Sequence, residues 1–226
     1  MFFTKSWHCR LKWCDFRCIV LSFTFMALHA AATSDAPVIV VFGDSLAAGY
    51  GLAQNSGWVT LLQDRLRERK FKHRVINASL SGETTQGGRT RIAQVLSEHR
   101  PDLLVVELGG NDGLRGLPLA SMRDNLEAII DASVKAEAQV LLLGIRLPTN
   151  YGRTYTQKFQ AVYADLATKF DLRFVPFLLQ GLGEGRDFFQ SDGIHPTAAA
   201  QSRILDNVWR ELEPCLRSAL CKRGAS

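Results

Sequence analysis

From residue 37 onward the chain alternates short apolar runs with longer amphipathic stretches. Pro37–Phe42, Arg74–Asn77, Asp102–Leu108, Gln139–Ile145 and Leu172–Pro176 are mostly apolar and do not alternate with polar residues. Runs of this kind predict strands buried on both faces, as in a parallel sheet. Between them Trp58–Arg69, Gln86–His99, Leu119–Ala136, Tyr155–Phe170 and Thr197–Leu212 read as helices. In the third of these, Leu126, Ile129, Ile130 and Val134 recur at helical spacing, and Pro101 closes the second. Five β–α units in series predict one five-stranded parallel sheet with helices on both faces and right-handed crossovers. In such sheets ligands sit at the carboxyl ends of the strands. No linker, repeat or second domain is visible.

The first 32 residues break the pattern. Lys5, Arg10 and Lys12 precede an apolar stretch, Cys18 to Leu28, and Ala30-Ala31-Ala32 fits a small-residue cleavage site. We read residues 1–32 as a secretory signal and residues 33–226 as a single domain. The competing reading is an uncleaved anchor, but Ser22, Thr24 and His29 interrupt a stretch shorter than the roughly 20 residues that span a bilayer. The expected product is exported, periplasmic or secreted, with no stable membrane anchor after cleavage.

Removing the segment changes the charge picture. The whole chain carries +5; without the four basic residues and one acidic residue of the segment it carries +2. A body at +2 with no Lys/Arg stripe gives no case for nucleic acid. Cys9, Cys14 and Cys18 leave with the segment, so Cys215 and Cys221 remain, either as a disulfide or as two free thiols. No cysteine lies near a histidine at metal-ligand spacing, so no zinc or other metal is expected. The chain reads as a monomer.

The chemistry lies in four short blocks: Gly43-Asp44-Ser45-Leu46, Ser81-Gly82-Glu83-Thr84, Gly109-Gly110-Asn111-Asp112 and Asp192-Gly193-Ile194-His195-Pro196. Each has an ordinary structural use: Ser45 as a helix N-cap, Gly82 and Asn111 as turn residues, Asp192 and His195 as a loop pair. Together they hold the parts of an acyl-transfer machine. A serine hydroxyl needs a base to take its proton. His195 supplies one, in the expected first turn of the last helix, and Asp192 is close enough to fix its tautomer. Ser45 N–H, Gly82 N–H and the Asn111 amide supply donors for an oxyanion. Asp44 is expected to brace its loop rather than move protons. His73 and His99, among basic neighbours, read as solvated surface residues. A metal-dependent phosphoesterase is the rival enzyme class, but such sites lean on several histidines and only His195 is suitably placed. A non-catalytic module of the same fold is a second rival.

These blocks, with the longer stretches NASLSGETTQGG, VVELGGNDGLRGLP and IRLPTNYGRTY, resemble the SGNH (GDSL) hydrolase superfamily and its exported multifunctional esterases. The likeness runs from about Val38 to Leu212. It implies a flavodoxin-like three-layer α/β/α sandwich, a triad of Ser45, His195 and Asp192, and an oxyanion hole from Ser45, Gly82 and Asn111. It implies small-molecule substrates: acyl thioesters, lysophospholipids and simple carboxylic esters, with no cofactor. A carbohydrate or lipid esterase of the same superfamily is the alternative. Ile145 to Gly152 resembles the superfamily's mobile substrate loop, with Ile145, Leu147 and Pro148 as an apolar wall and Leu114 lining the same groove. Phe177 to Leu179 and Phe188-Phe189 read as core or as an apolar rim.

Overall fold

The computed structural model describes residues 36–183, 186–218 and 221; the expected secretory signal lies outside them. Five strands, β1 (Val38–Gly43), β2 (Arg74–Asn77), β3 (Leu103–Glu107), β4 (Gln139–Leu143) and β5 (Arg173–Val175), pair in parallel in the order β2-β1-β3-β4-β5. The described helices are α1 (Ser45–Ala48), α2 (Trp58–Glu68), α3 (Thr85–His99), α4 (Gly110–Leu114), α5 (Leu119–Lys135), α6 (Arg153–Lys169) and α7 (Gln201–Arg217). α3, α5 and α6 form one outer layer, and α2 packs on α7 in the other. This is the flavodoxin-like three-layer order expected, with its topological switch between β1 and β3.

Continuous apolar runs place β1 and β3 at the centre, where every residue of both strands is buried. β2 differs from the expected fully buried strand. It is an edge strand, with Arg74 and Asn77 exposed and Val75 and Ile76 half-buried. β4 stops at Leu143, two residues short of the expected end. Gly144 turns there because its backbone meets the end of β5, with Gly144 N–H donating to Val175 O and Leu178 N–H to Gly144 O. Ile145 is thereby released into the loop beyond the sheet.

α5 buries Leu126, Ile129 and Ile130 as its periodicity predicts, together with Met122. Val134 does not follow them: its side chain is 50% exposed, and Ser133 takes the buried position instead. The Ser133 hydroxyl is satisfied there by donating to Ile129 O at 2.7 Å. α7 begins four residues later than its pattern suggested. Pro196 bridges to Phe189, residues 198–200 form a 3-10 turn, and the α-helix starts at the buried Gln201. Gln201 Oε1 accepts from Trp58 N–H (3.0 Å), its Nε2 donates to Thr197 O (3.1 Å), and Trp58 Nε1 donates to Leu46 O (3.1 Å). Two buried side chains, Gln201 and Trp58, thus tie the starts of α1, α2 and α7 together. Cys215 and Cys221 form a disulfide at the end of α7.

His73 and His99 are half-buried rather than solvated. Burial lowers the His73 pKa, and its Nδ1 lies out of solvent without a partner.

The two faces of the layers give a direct test. Leu104→Ala, at the fully buried centre of β3, is expected to cost about 2–5 kcal/mol in chemical denaturation. Val134→Ala, on the exposed side of α5, is expected to stay within about 0.5 kcal/mol.

Candidate functional site

β1 ends at Gly43, which pairs in register with Glu107, the last residue of β3. A Cβ on Gly43 would lie 2.6 Å from Glu107 Oε2 and 2.8 Å from Glu107 O, so only glycine lets the two strand ends meet. Asp44 follows as the N-cap of α1, its Oδ1 accepting from Leu46 N–H at 3.1 Å. Asp44, rather than Ser45, does the capping. Ser45 occupies the first helical position, and its side chain is left free to face the loop that carries His195.

That loop is closed locally. Gln190 N–H donates to His195 O (2.8 Å), and Gln190 Nε2 donates to Tyr50 O (2.8 Å) and Pro196 O (3.1 Å). His195 therefore lies in a loop and not in the first turn of the last helix. Its Nε2 is 2.9 Å from Ser45 Oγ and its Nδ1 is 2.7 Å from Asp192 Oδ2. An ionised carboxylate only accepts, so Nδ1 carries the proton and Nε2 is the acceptor for the serine hydroxyl. Asp192 Oδ1 also accepts from the N–H groups of Ile194 (2.9 Å) and His195 (3.0 Å). Desolvation raises the Asp192 pKa, but the hydrogen bonds from the His195 ring and these two N–H groups outweigh it and hold the carboxyl down at about 2. The Tyr50 ring, itself 53% exposed, lies over the imidazole with centroids 4.5 Å apart.

Asn111 reaches the neighbours of the two other expected oxyanion donors, Asp44 beside Ser45 and Glu83 beside Gly82. Gly82 adopts φ +79°, a left-handed turn that glycine permits, and Arg115 Nη2 donates to its carbonyl at 3.0 Å. The N–H groups of Ser45 and Gly82 have no protein acceptor among the described residues. Asn111, in the short helix α4, donates from Nδ2 to Asp44 Oδ2 and to Glu83 O, both at 3.0 Å. Both of its amide hydrogens are therefore engaged. The neighbouring Asp112 is buried and accepts from Thr85 N–H (2.8 Å) and Thr85 Oγ1 (2.6 Å), which locks α4 to the start of α3. Glu83 is clamped by an ion pair with Arg91, whose Nη2 also reaches Ala78 O. Asn77, the start of a possible glycosylation sequon, uses its amide to hold Ala47 O at 2.8 Å.

Beneath the site sit two carboxyls that the sequence reading did not combine. Asp44 is buried, and burial raises its pKa to about 6 against the opposing hydrogen bonds from Leu46 and Asn111. Glu107 is wholly buried, and burial followed by the charge of Asp44 pushes its pKa well above the carboxylate range. The sequence signal for Glu107 was a lone acid in the apolar run Leu103–Leu108. Tyr50 and Gln190 carried no signal of their own.

A cleft of about 1370 Å³ opens at Ser45 and His195, and Ile145, Leu147, Pro148 and Leu114 all line it. Phe177, Leu179 and Phe189 join them as an apolar rim, whereas Leu178 is core and Phe188 packs against the core. The Tyr151 hydroxyl donates to Leu114 O at 3.0 Å, joining the loop after β4 to α4. The cleft is mainly apolar at its walls and polar at the Ser45 end, a shape that suits an acyl chain with its carbonyl at the serine.

Residues 41–203 match the GDSL-like lipase/acylhydrolase family. The chain is 44% identical over 200 residues to esterase TesA of Pseudomonas aeruginosa, covering 88% of this chain and 100% of that protein. It is 40% identical over 194 residues to thioesterase 1/protease 1/lysophospholipase L1 of Escherichia coli, covering 86% and 92%. The crystal structure of TesA superposes with a TM-score of 0.77 at 47% identity, over 78% of this chain and 98% of that one. With the sheet order, the matched span and these likenesses in agreement, the chain belongs to the GDSL-like lipase/acylhydrolase family and is an ester-bond hydrolase.

Proposed function

We propose that this hydrolase works through a Ser45-His195-Asp192 triad and an acyl-enzyme intermediate, on acyl thioesters, lysophospholipids and simple carboxylic esters. The observation that carries the reading is the unbroken chain from Ser45 Oγ to His195 Nε2 at 2.9 Å and from His195 Nδ1 to Asp192 at 2.7 Å. Ser45 Oγ attacks the acyl carbon while His195 Nε2 takes the hydroxyl proton. The carbonyl π pair moves onto oxygen, facing the Ser45 and Gly82 N–H groups and the Asn111 amide. The intermediate collapses, the bond to the leaving thiol or alcohol breaks, and His195 returns the proton to that group. Water then repeats the sequence on the acyl-serine, releasing the acid and restoring the hydroxyl.

Asn111 must free a hydrogen to serve the oxyanion. Its bond to the neutral Glu83 carbonyl is the weaker of its two, because the bond to Asp44 is charge-assisted. The hydrogen on Glu83 O is the one that turns to the substrate, with Asp44 holding the other. The apolar walls at Ile145, Leu147, Pro148 and Leu114 support an acyl chain as the bound group. Residues 1–32 are a secretion signal in this reading, and the mature form works outside the cytoplasm; among the described residues no helix is long and apolar enough to cross a membrane.

Turnover of p-nitrophenyl esters of graded chain length tests the mechanism. Ser45→Ala is expected to lower kcat by on the order of 10⁴–10⁶-fold, and chelator to leave the wild-type rate unchanged. Full activity in Ser45→Ala, or activity abolished by chelator, would overturn the triad in favour of a metal site. Leu114→Trp is expected to shift the chain-length optimum toward shorter acids; an unmoved profile would take the cleft out of substrate binding. The pH dependence carries a sign. A depressed carboxyl contributes stability above its unfolded pKa and loses it as pH falls through its folded value, which for Asp192 is about 2. Asp192 is thus charged across the working range, and the stability it contributes is expected to fall in acid unfolding only as pH drops from about 4 toward about 2.

A further inference from the structure

Glu107 is used by none of the steps above, yet it is the most thoroughly buried acid near the site. It closes an apolar strand and lies against Gly43, so closely that no side chain fits there. Its Oε2 accepts from Asp44 N–H at 3.2 Å, and the N–H of Ala47 also points to the carboxyl. Its Oε1 is shut from solvent with no hydrogen-bond partner, which leaves it as the atom to carry a proton, and Asp44, bonded to Oε2 through its backbone N–H, is the neighbouring acid whose charge acts on Glu107.

Two carboxylates cannot both be charged at this contact in a dry interior. The surroundings decide where the proton sits. Asp44 receives two donors, Leu46 N–H on Oδ1 and Asn111 Nδ2 on Oδ2, and faces His195 on its open side. Both donors favour its charged form. Among the described residues Glu107 has no cation beside it. The Tyr163 hydroxyl, donating to Leu108 O at 3.0 Å, faces the pair, and the Asp112 carboxyl, which accepts twice from Thr85, faces Tyr163. Neither offers positive charge.

We propose that Glu107 is a positioning residue of this site, a neutral carboxylic acid whose O–H donates a hydrogen bond to Asp44 and thereby keeps Asp44 an ionised acceptor for the oxyanion amide of Asn111. The consequence lies in amide orientation. The Asn111 nitrogen stands between two acceptors, Asp44 Oδ2 and Glu83 O. A flipped amide would set its own oxygen against both and is excluded as long as Asp44 is ionised. A proton on Asp44 would remove that exclusion, and the Nδ2 donor could turn away from the substrate. With the proton stored on Glu107, the catalytic face of the amide stays fixed. The burial and charge that raise the Glu107 pKa agree with this assignment.

The inference rests on Asn111 serving the oxyanion, so its test combines turnover with a readout that needs no turnover. A glutamine at position 107 offers one donor and one acceptor in the shape of a protonated glutamate. Glu107→Gln is therefore expected to keep kcat within about threefold of wild type, whereas Glu107→Leu lowers kcat on the order of 10²-fold with KM unchanged. Infrared difference spectra of wild type against Glu107→Gln at pH 8 are expected to show a protonated carboxylic-acid carbonyl band belonging to the wild type. The band is read equally well in the Ser45→Ala background, which separates this proposal from the serine mechanism. Absence of the band overturns the proposal, as does a Gln variant as impaired as the Leu variant, or a folded Leu variant with wild-type kcat. If the Leu variant fails to fold, the band and the kcat of the Gln variant decide together.

Discussion

The contact between Gly43 and Glu107 sets the distance between the two strands that carry the site. β1 delivers Ser45 and β3 delivers Asn111, and the sheet pairs the last residue of one with the last residue of the other. Asp44 N–H bonds both to the Glu107 backbone oxygen and to its side chain, at 3.2 Å each. Any side chain at position 43 would push this joint open. Ser45 and the Asn111 amide 66 residues further on are thus held by one strand-end pairing and by the carboxyls packed into it. Burying two acids costs stability, since desolvation works against both. The rest of the core offsets it, with β1, β3 and most of β4 wholly enclosed.

The switch in strand order explains why the blocks converge. After β2 the chain must cross over β1 to reach β3, and the loops leaving β1 and β3 diverge to opposite faces. A cleft opens between them, and the loop after β4 supplies Ile145, Leu147 and Pro148 as one wall. Gly144 ends its strand early and so allows Ile145 to join that wall rather than the sheet.

Much of this was legible in the sequence because it follows from local rules. All five strands and the five longer helices show in the apolar pattern; three of the four chemical blocks show as turn residues after strands, and the fourth in the long loop before the last helix. What was not legible depends on contacts between distant segments. Val134 obeys helical spacing but points to solvent, because the packing of α3 and α6 on α5 fixes which face is inner. The start of α7 was misread because Pro196 and Thr197 bond back to the Phe188-Phe189 segment instead of entering the helix. Glu107 was hidden inside an apolar run, and its meaning appears only when Gly43 is set opposite it. Tyr50 over the His195 ring and Gln190 beneath the loop could not be inferred from spacing alone.

Asp192 and His195 stand three residues apart, in a loop that Gln190 closes upon itself. The carboxylate and the imidazole therefore travel as one cartridge, and the rest of the protein has only to dock it. Of the two links in the chain from serine to carboxylate, one is made within the loop and owes nothing to the sheet. The other spans 150 residues of sequence. A lengthened or shortened hairpin in this region would leave the pair intact and show itself in a single coordinate, the gap between Ser45 Oγ and His195 Nε2. Descent with altered loops is then a search over one distance rather than two, which leaves the apolar cleft free to diverge while the proton path is preserved.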